Sequence, residues 1–289
     1  MMRPPVFIIG NPRSGTTLLR LMLTNHKNIV IPPECGFAVW FYDKYKAADF
    51  SGSVFGSFVK DLSGAKKIET WNLDYTKLLD YIFAAKPVSY PELAGTVYEF
   101  YGHSIGRTFL RWGDKNNYYL HHIDTINEMY PSACFIHIIR DGRDIACSYR
   151  SLQRPNIESK YAPRLPSNIN DIAVEWTTNI QKIRDSFNRV GWGKVCEIRY
   201  EDLVSRPGQE LKKICSFLEE PYDGDMELYF IRNQSEHQEP VEFLQWKAKT
   251  TEKPTTSEVG KFRNELTPKE IKEFESVSAQ MLKIYNYVI

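Results

Sequence analysis

The sequence predicts an α/β fold with three layers, in which helices cover both faces of a doubly wound parallel sheet. Short apolar runs alternate along the chain with segments of helical periodicity. The clearest run, Cys134–Ile139, is apolar except for His137. Such continuous runs are typical of strands that are buried on both faces. In folds of this class, the binding loops lie at the carboxyl ends of the strands.

Four runs are predicted to form strands, and a helix is predicted after each of them. The strands cover 6–10, 109–113, 134–139 and 194–200, of which 109–113 is the least apolar. The helices begin near residue 16 and then cover 118–130, 141–150 and 201–218.

A long segment between the first two predicted strands has a different character. Residues 36–106 are mostly helical in pattern and aromatic, without a clear strand. We therefore expect a helical insertion beside the sheet. No repeat, low-complexity tract or linker interrupts the sequence, and 289 residues suit one large domain with an elaborate insertion. We predict a single domain over 1–289.

The later part of the chain alternates between loops and helices. Three prolines predict a loop over 152–168, and a long helix follows over 171–190. The segment 233–261 is polar and charged, and we expect it to be loop-like and mobile. Thr267 and Pro268 are the residue types that favour the N-cap and first position of a final helix.

The composition is that of an ordinary globular protein and excludes several kinds of partner. The net charge is +1, so no overall basic field attracts nucleic acid or a membrane surface. The five cysteines are scattered without C-x-x-C spacing, which argues against a disulfide framework or a zinc site and suits a reducing compartment. Nothing resembles a signal peptide, and no apolar run approaches the roughly 20 residues of a bilayer span. We expect a cytoplasmic protein.

A glycine-rich loop joins the first predicted strand to an apolar helix. It reads Gly10-x4-Gly15-Thr16-Thr17, the pattern of a P-loop in which Thr16 replaces the lysine that contacts the β- and γ-phosphates of a triphosphate. Backbone N–H groups at the helix start still favour an anion, and Arg13 adds a cation. The loop therefore suits a shorter anion, such as a 5′-phosphate that carries one transferable group. The alternative is that its glycines serve only the turn.

A second candidate anion site follows the strand at 134–139. Arg140 lies at the carboxyl edge of the sheet, and Ser148 lies about two turns into the next helix. A guanidinium and a hydroxyl would suit a second, separate phosphate. The alternative is that Arg140 pairs with Asp141 or Asp144 at the surface and that Ser148 is incidental. We expect Arg143, on the helix, to be solvated.

Together the two segments resemble the sulfotransferases that use 3′-phosphoadenosine 5′-phosphosulfate, which have a P-loop-like fold. The family's first loop holds the 5′-phosphosulfate, which implies this role for Arg13, Ser14, Gly15, Thr16 and Thr17. Its second segment holds the 3′-phosphate, which implies that role for Arg140 and Ser148. The helical insertion over 36–106 then lies on the acceptor side.

Two later segments are similar to the family in the same order. Residues 199–203 read Arg-Tyr-Glu-Asp-Leu, like the family's Tyr-Glu-Asp-Leu segment, which implies that Tyr200 lies near the adenine. Residues 260–264 resemble its Gly-x-[Trp/Phe]-[Arg/Lys]-Asn segment near the 3′-phosphate. That match implies donor-binding roles for Gly260, Lys261, Phe262 and Arg263. The resemblance extends from residue 6 to about 267.

The candidate general base places the chain nearer the bacterial and tyrosylprotein-type enzymes than the cytosolic ones. The cytosolic enzymes use the His of a Lys-x-His, and this chain has Asn117 at the matching place, which cannot accept a proton. We interpret His121 and His122 as ordinary helix residues. The tyrosylprotein-type enzymes place a Glu 21 residues beyond the arginine of the loop, and from Arg13 that spacing reaches Glu34.

Lys115 resembles the lysine that steadies the bridging oxygen of the leaving group in both groups of enzymes. The resemblance thus implies a catalytic set of Glu34, Arg13 and Lys115. A sulfuryl group carries less charge than a phosphoryl group, so we expect no metal. The alternatives are that Glu34 is a solvated loop acid and that Lys115 is a surface lysine paired with Asp114.

The predicted function is therefore in-line transfer of a sulfuryl group from 3′-phosphoadenosine 5′-phosphosulfate to an acceptor hydroxyl, with a carboxylate base. The alternative is a P-loop-type kinase that uses ATP, but Thr16 stands in place of the lysine and no clear Asp ends a strand to hold magnesium. A regulatory nucleotide-binding module would have no need of Glu34. The acceptor is a carbohydrate, lipid, small metabolite or peptide, and the oligomeric state is open.

Overall fold

The computed structural model describes residues 2–50, 52–153 and 159–288. In this part of the chain a parallel sheet has the strands β1 Val6–Ile9, β2 Ile29–Val30, β3 Arg111–Lys115, β4 Cys134–Ile139 and β5 Val195–Arg199. Their order is β2-β3-β1-β4-β5. Ile8 pairs with Lys115 on one side and with Ile136 on the other, so β1 is central. The predicted parallel sheet is confirmed.

Helices account for most of the remaining structure. The α-helices are α1 Thr16–Thr24, α2 Phe37–Trp40, α3 Tyr42–Tyr45, α4 Gly52–Ser63, α5 Tyr75–Ala85, α6 Tyr90–Ser104, α7 Ile123–Met129, α8 Gly142–Ser151, α9 Ile169–Val190, α10 Tyr200–Ser205, α11 Pro207–Phe217, α12 Tyr229–Glu236, α13 Leu244–Lys247, α14 Phe262–Glu265 and α15 Pro268–Ile284. Short 3-10 helices lie at Ile68–Trp71, Asn117–His121, Trp192–Lys194, Gly224–Leu228, Val241–Phe243, Ala248–Thr251 and Thr256–Glu258. Within the described ranges, no helix combines the length and apolar character that crossing a bilayer requires.

The side chains of β1 alternate between two buried apolar clusters, one on each face of the sheet. Val6 and Ile8 pack in the cluster that includes residues of α1, α10 and α11. Phe7 and Ile9 pack in the cluster that includes residues of α2 to α6, α8, α9 and α15. Because β1 is buried on both faces, the three-layer prediction is confirmed. The helical insertion over 36–106 shares its apolar cluster with the sheet.

Several predicted boundaries differ from the structure. The strand predicted at 109–113 is β3, Arg111–Lys115, and β2 was not predicted because it has only two residues. The helix predicted over 118–130 is a 3-10 turn followed by α7. The helix predicted over 201–218 is divided into α10 and α11, because the residue before Pro207 disfavours the helical conformation.

The later segments follow the prediction in part. Thr267 caps α15 as expected, with a reciprocal capping box to Glu270. The segment 233–261 was expected to be loop-like but contains short helices, including α13, and its mobility stays a prediction. In the predicted loop over 152–168, residues 154–158 lie outside the described residues, and the described remainder has turns and irregular structure.

Candidate active site

A cavity of about 1610 Å³ lies at the carboxyl ends of the strands. Its wall includes the loop after β1, Arg140 directly after β4 and Tyr200 directly after β5. The helical insertion contributes Lys67, and the segment 245–250 closes another side. The cavity therefore lies where a doubly wound sheet is expected to bind its ligand.

The loop after β1 has the features of an anion cradle. Gly15 has φ of 95°, and a Cβ there would lie 2.5 Å from Cδ2 of Tyr200, so the turn into α1 requires glycine. The Ser14 hydroxyl is buried and has no hydrogen-bond partner among the described residues. The Thr16 hydroxyl donates to Asn117 Oδ1 at 3.2 Å. An unpaired buried hydroxyl beside a helix N-terminus fits a phosphosulfate.

The structure brings Arg13, Ser148 and Arg140 into direct contact. Nε of Arg13 donates to Oγ of Ser148 at 3.1 Å, and Nη1 of Arg140 donates to the backbone oxygen of Arg13 at 3.1 Å. Burial, and then repulsion by Arg140, lower the pKa of Arg13 to about 10, so it stays charged at neutral pH. The two predicted anion sites are therefore neighbours in one cationic pocket.

Arg140 is held on three sides. Its guanidinium carbon lies 4.3 Å from the centre of the Tyr200 ring. Its Nη2 donates to the backbone oxygen of Glu258 at 2.8 Å and lies 3.8 Å from that residue's carboxylate. The Lys261 ammonium lies 2.9 Å from the same carboxylate. Arg140 is only 5% exposed, so the alternative of a solvated surface pair is wrong.

The prediction that Arg143 is solvated is also wrong. Arg143 is 2% exposed, and its guanidinium donates to Asp141 at 2.8 Å and to Glu275 at 2.6 Å. It also stacks on the Phe262 ring at 4.1 Å. The reason is that α15 and α14 cover this face of α8, which the helical pattern alone does not reveal.

The predicted donor segment at 260–263 divides between two places. Lys261 lines the main cavity. The backbone N–H groups of Gly260 and Phe262 instead donate to Asp144, at 2.7 and 3.0 Å. Gly260, Phe262 and Arg263 line a smaller cavity of about 160 Å³. Of these four residues, Lys261 is therefore the one beside Arg140 and its pocket.

Glu34 lies at the cavity wall in a cluster of lysines. Its Oε1 forms an ion pair with Lys115 and lies 3.7 Å from Lys247, and its Oε2 lies 2.7 Å from Lys67. Burial alone would raise the pKa of Glu34, but the three ammonium groups hold it well below the ordinary value. At 7% exposure, Glu34 is not the solvated loop acid of the alternative interpretation.

Lys115 lies completely buried beneath Glu34, so it is not a surface lysine. Its ammonium also donates to the Thr17 hydroxyl at 3.1 Å, which connects Glu34 to the first turn of α1. Asp114 accepts hydrogen bonds from Tyr98 and Tyr119 rather than from the Lys115 ammonium. Burial, opposed by Glu34, lowers the pKa of Lys115 to about 8.

Sequence reasoning missed two of the three lysines around Glu34. Lys67 comes from the helical insertion and Lys247 from the segment expected to be a loop. Neither lies in a recognisable motif, so no sequence signal identified them.

The two histidines lie elsewhere: His121 is exposed, and His122 contacts the Tyr118 ring with centroids 4.1 Å apart. In the described ranges, no cluster of three or more His, Cys, Asp or Glu side chains could hold a metal ion.

Comparison with known proteins identifies the family to which this chain is similar. The model of the sulfotransferase family matches residues 4–224. The chain is 25% identical over 221 residues to a putative protein-tyrosine sulfotransferase of Caenorhabditis briggsae, covering 76% of this chain and 67% of that one. It is 27% identical over 225 residues to protein-tyrosine sulfotransferase A of Caenorhabditis elegans, covering 76% of this chain and 51% of that one. For nodulation protein NoeE of Sinorhizobium fredii the identity is 25%, over 73% of this chain and 49% of that one. The chain thus spans about half the length of the latter two relatives.

Solved structures share the fold at low sequence identity. The sulfotransferase domain of the Synechococcus PCC 7002 olefin synthase has a TM-score of 0.59 and 21% identity, over 95% of this chain and 94% of that one. Mouse sulfotransferase SULT7A1, solved with PAP, has a TM-score of 0.51 and 14% identity, over 96% and 84%. The predicted P-loop-like fold and the resemblance to the tyrosylprotein-type branch are confirmed, and a kinase is not favoured. The chain belongs to the sulfotransferase family.

Proposed function

We propose that this protein transfers a sulfuryl group from 3′-phosphoadenosine 5′-phosphosulfate to an acceptor hydroxyl, with Glu34 as the general base. The observation that carries the proposal is the contact of Lys115 with both Glu34 and Thr17. This contact supports the proposal, because Lys115 joins Glu34 to the first turn of α1 beside the loop that suits the phosphosulfate. A general base must lie within reach of the acceptor proton, and Glu34 lines the cavity.

Donor binding is assigned to the cationic pocket. The first-turn N–H groups of α1, the Ser14 hydroxyl and Arg13 suit the 5′-phosphosulfate, as do Thr16 and Thr17 beside them. Arg140 and Ser148, with Lys261 nearby, suit the 3′-phosphate, because charge-assisted hydrogen bonds to phosphate are strong. Tyr200 offers its ring to the adenine. Gly260, Phe262 and Arg263 belong to the proposed donor segment as the neighbours of Lys261, which the hydrogen bonds of Gly260 and Phe262 to Asp144 hold in place.

The transfer forms a bond between the acceptor oxygen and sulfur, while the bond from sulfur to the 5′-phosphate oxygen breaks. Glu34 receives the hydroxyl proton, and the electron pair of the broken bond stays on the 5′-phosphate oxygen, near Lys115. The products are a sulfate ester and adenosine 3′,5′-bisphosphate. Arg13 and Lys115 supply positive charge where negative charge develops, so the proposal needs no metal.

The acceptor is assigned only by its chemistry. It carries a hydroxyl, on a carbohydrate, a lipid, a small metabolite or a peptide. A cytoplasmic location is part of the proposal, because scattered free cysteines suit a reducing compartment.

Calorimetry tests the donor directly. We expect adenosine 3′,5′-bisphosphate to bind and ATP with magnesium to bind far more weakly. A library of hydroxyl compounds, incubated with 3′-phosphoadenosine 5′-phosphosulfate and read by a mass gain of one sulfuryl group, then identifies the acceptor class. Preferential binding of ATP with magnesium, or phosphate transfer from ATP, would overturn the proposal.

A further inference from the structure

A series of buried ion pairs connects α1 to Glu34, the candidate base. Nη2 of Arg20 lies 2.6 Å from Oε2 of Glu239, and Oε1 of Glu239 lies 2.5 Å from Nζ of Lys247. The same ammonium lies 3.7 Å from Oε1 of Glu34. Positive and negative groups alternate along this series, so each buried group has an opposite charge beside it, as burial requires.

Glu239 lies between Arg20 and Lys247 in this series of ion pairs and is held by several contacts. Both Arg20 and Glu239 are only 1% exposed. Arg20 also donates to the backbone oxygens of Ile31 and Gln238, at 3.0 and 2.8 Å, and the backbone N–H of Glu239 donates to Asn233 at 2.7 Å. A carboxylate held in this way fixes the direction of the Lys247 side chain.

Lys247 differs from the other two lysines around Glu34 in where it points. Lys115 is completely buried beneath Glu34, and Lys67, which also lines the cavity, contacts the other carboxylate oxygen, Oε2. Lys247 shares Oε1 with Lys115, the oxygen on the side of the phosphate loop, and it lines the cavity. Lys247 is therefore the cavity-lining lysine that lies beside the same oxygen of Glu34 as Lys115, which in turn contacts Thr17.

We propose that Lys247 is a further catalytic residue, which binds an oxygen of the sulfuryl group during transfer, and that Glu239 is its positioning residue. This inference rests on the proposed function. As Glu34 takes the acceptor proton, Lys247 loses one of its two negative neighbours, while charge spreads over the sulfuryl oxygens. Its interaction with the sulfuryl group therefore strengthens in the transition state, which is the condition for catalysis.

Single-turnover conversion of 3′-phosphoadenosine 5′-phosphosulfate to adenosine 3′,5′-bisphosphate, with the acceptor found by the library, tests the role of Lys247. Lys247→Met should lower the rate roughly 10²–10³-fold, the loss typical for one donor to a developing anion. The affinity for adenosine 3′,5′-bisphosphate, which has no sulfuryl group, should stay the same. Lys44→Met, which removes an exposed lysine that contacts Asp61 and the Tyr45 ring, should leave the rate unchanged.

A double-mutant cycle tests the role of Glu239 apart from its contribution to the fold. Glu239→Gln should slow turnover about tenfold in the wild type but hardly at all in the Lys247→Met background, because residues acting as one unit are not additive. Equal slowing in both backgrounds would mean that Glu239 is only structural.

Three results would overturn the role of Lys247 itself. They are a Lys247→Met variant with full turnover, an equal loss of nucleotide affinity, or a loss confined to the acceptor KM. If the wild type neither binds the bisphosphate nor transfers the group, the proposed function fails. If it does both, only the inference is at stake.

Discussion

The guanidinium carbon of Arg140 lies 4.3 Å from the centre of the Tyr200 ring. The sheet sets this contact, because Ile139 pairs with Arg199 at the ends of the neighbouring strands β4 and β5. The next residue of each strand is therefore delivered to the same place at the sheet edge. Stacking on an aromatic ring stabilises a guanidinium by roughly 0.5–2 kcal/mol and holds its plane. Arg140 is thus held in one orientation at the sheet edge.

Arg140→Ala should weaken binding of 3′-phosphoadenosine 5′-phosphosulfate and leave adenosine 5′-phosphosulfate almost unaffected. A charge-assisted hydrogen bond is worth roughly 1.5–3 kcal/mol, hence about ten- to a hundredfold in Kd. Calorimetry with both nucleotides measures the difference, and Arg189→Ala, on an exposed pair with Asp124, is the control. Equal losses for both nucleotides would mean that Arg140 is structural.

Turnover should survive EDTA. The positive charge that the proposal needs comes from Arg13, Lys115 and the backbone N–H groups of the loop, rather than from a metal ion. The measurement is the rate of sulfuryl transfer before and after chelation. Loss of activity on chelation, with recovery when magnesium is added, would favour a P-loop-type kinase instead.

Glu34→Gln should lower the stability of the fold, because the buried Lys115 loses its carboxylate partner, but should keep the affinity for adenosine 3′,5′-bisphosphate and lower kcat. The amide has a similar volume but cannot accept the proton, and loss of a general base costs roughly 10²–10⁴-fold. Glu242→Gln, at an exposed position, is the matched control, and His121→Ala and His122→Ala should change turnover little. Full turnover in Glu34→Gln, with loss in a histidine variant, would refute the base assignment.

The pH dependence should be asymmetric. The pKa of Glu34 is held well below 4.5, so the acid limb of kcat/KM, where Glu34 becomes protonated, should lie below that pH and disappear in Glu34→Gln. The pKa of Lys115 is lowered to about 8, so kcat/KM should fall as the pH rises through about 8 and Lys115 loses its proton. A profile of kcat/KM reports the free enzyme. An alkaline limb that persists in Lys115→Met would assign it to another group.

Arg143→Ala should destabilise the fold. Removing one partner of a buried ion pair costs roughly 3–5 kcal/mol, because Asp141 is left buried without its cation. Arg206→Ala, on an exposed pair with Asp202, should cost less than about 1 kcal/mol. Denaturant unfolding of the two variants compares them. Similar free energies of unfolding would contradict the burial of Arg143.

The parts of the molecule that depend on local pattern were predictable from the sequence. β1 is a continuous apolar run and β4 is interrupted only by His137, and such runs have few alternatives to burial in a parallel sheet. Gly15 is required locally by its own φ of 95°, and Thr267 and Glu270 form their capping box within one turn. β2 lay beyond such reasoning, because two residues carry no periodicity.

By itself, the sequence determined four strands of the sheet, the glycine-rich loop after β1 and Glu34 as a candidate base, since each depends on neighbouring residues or on a family spacing. Only the tertiary structure decided the surroundings of Glu34. Lys67 and Lys247 reach it from the insertion and from the C-terminal part of the chain, and Arg143 is buried because α15 packs over it. The physical reason is that burial and electrostatic pairing depend on which segments pack together in space. The separation of two residues along the sequence does not show whether their segments pack together.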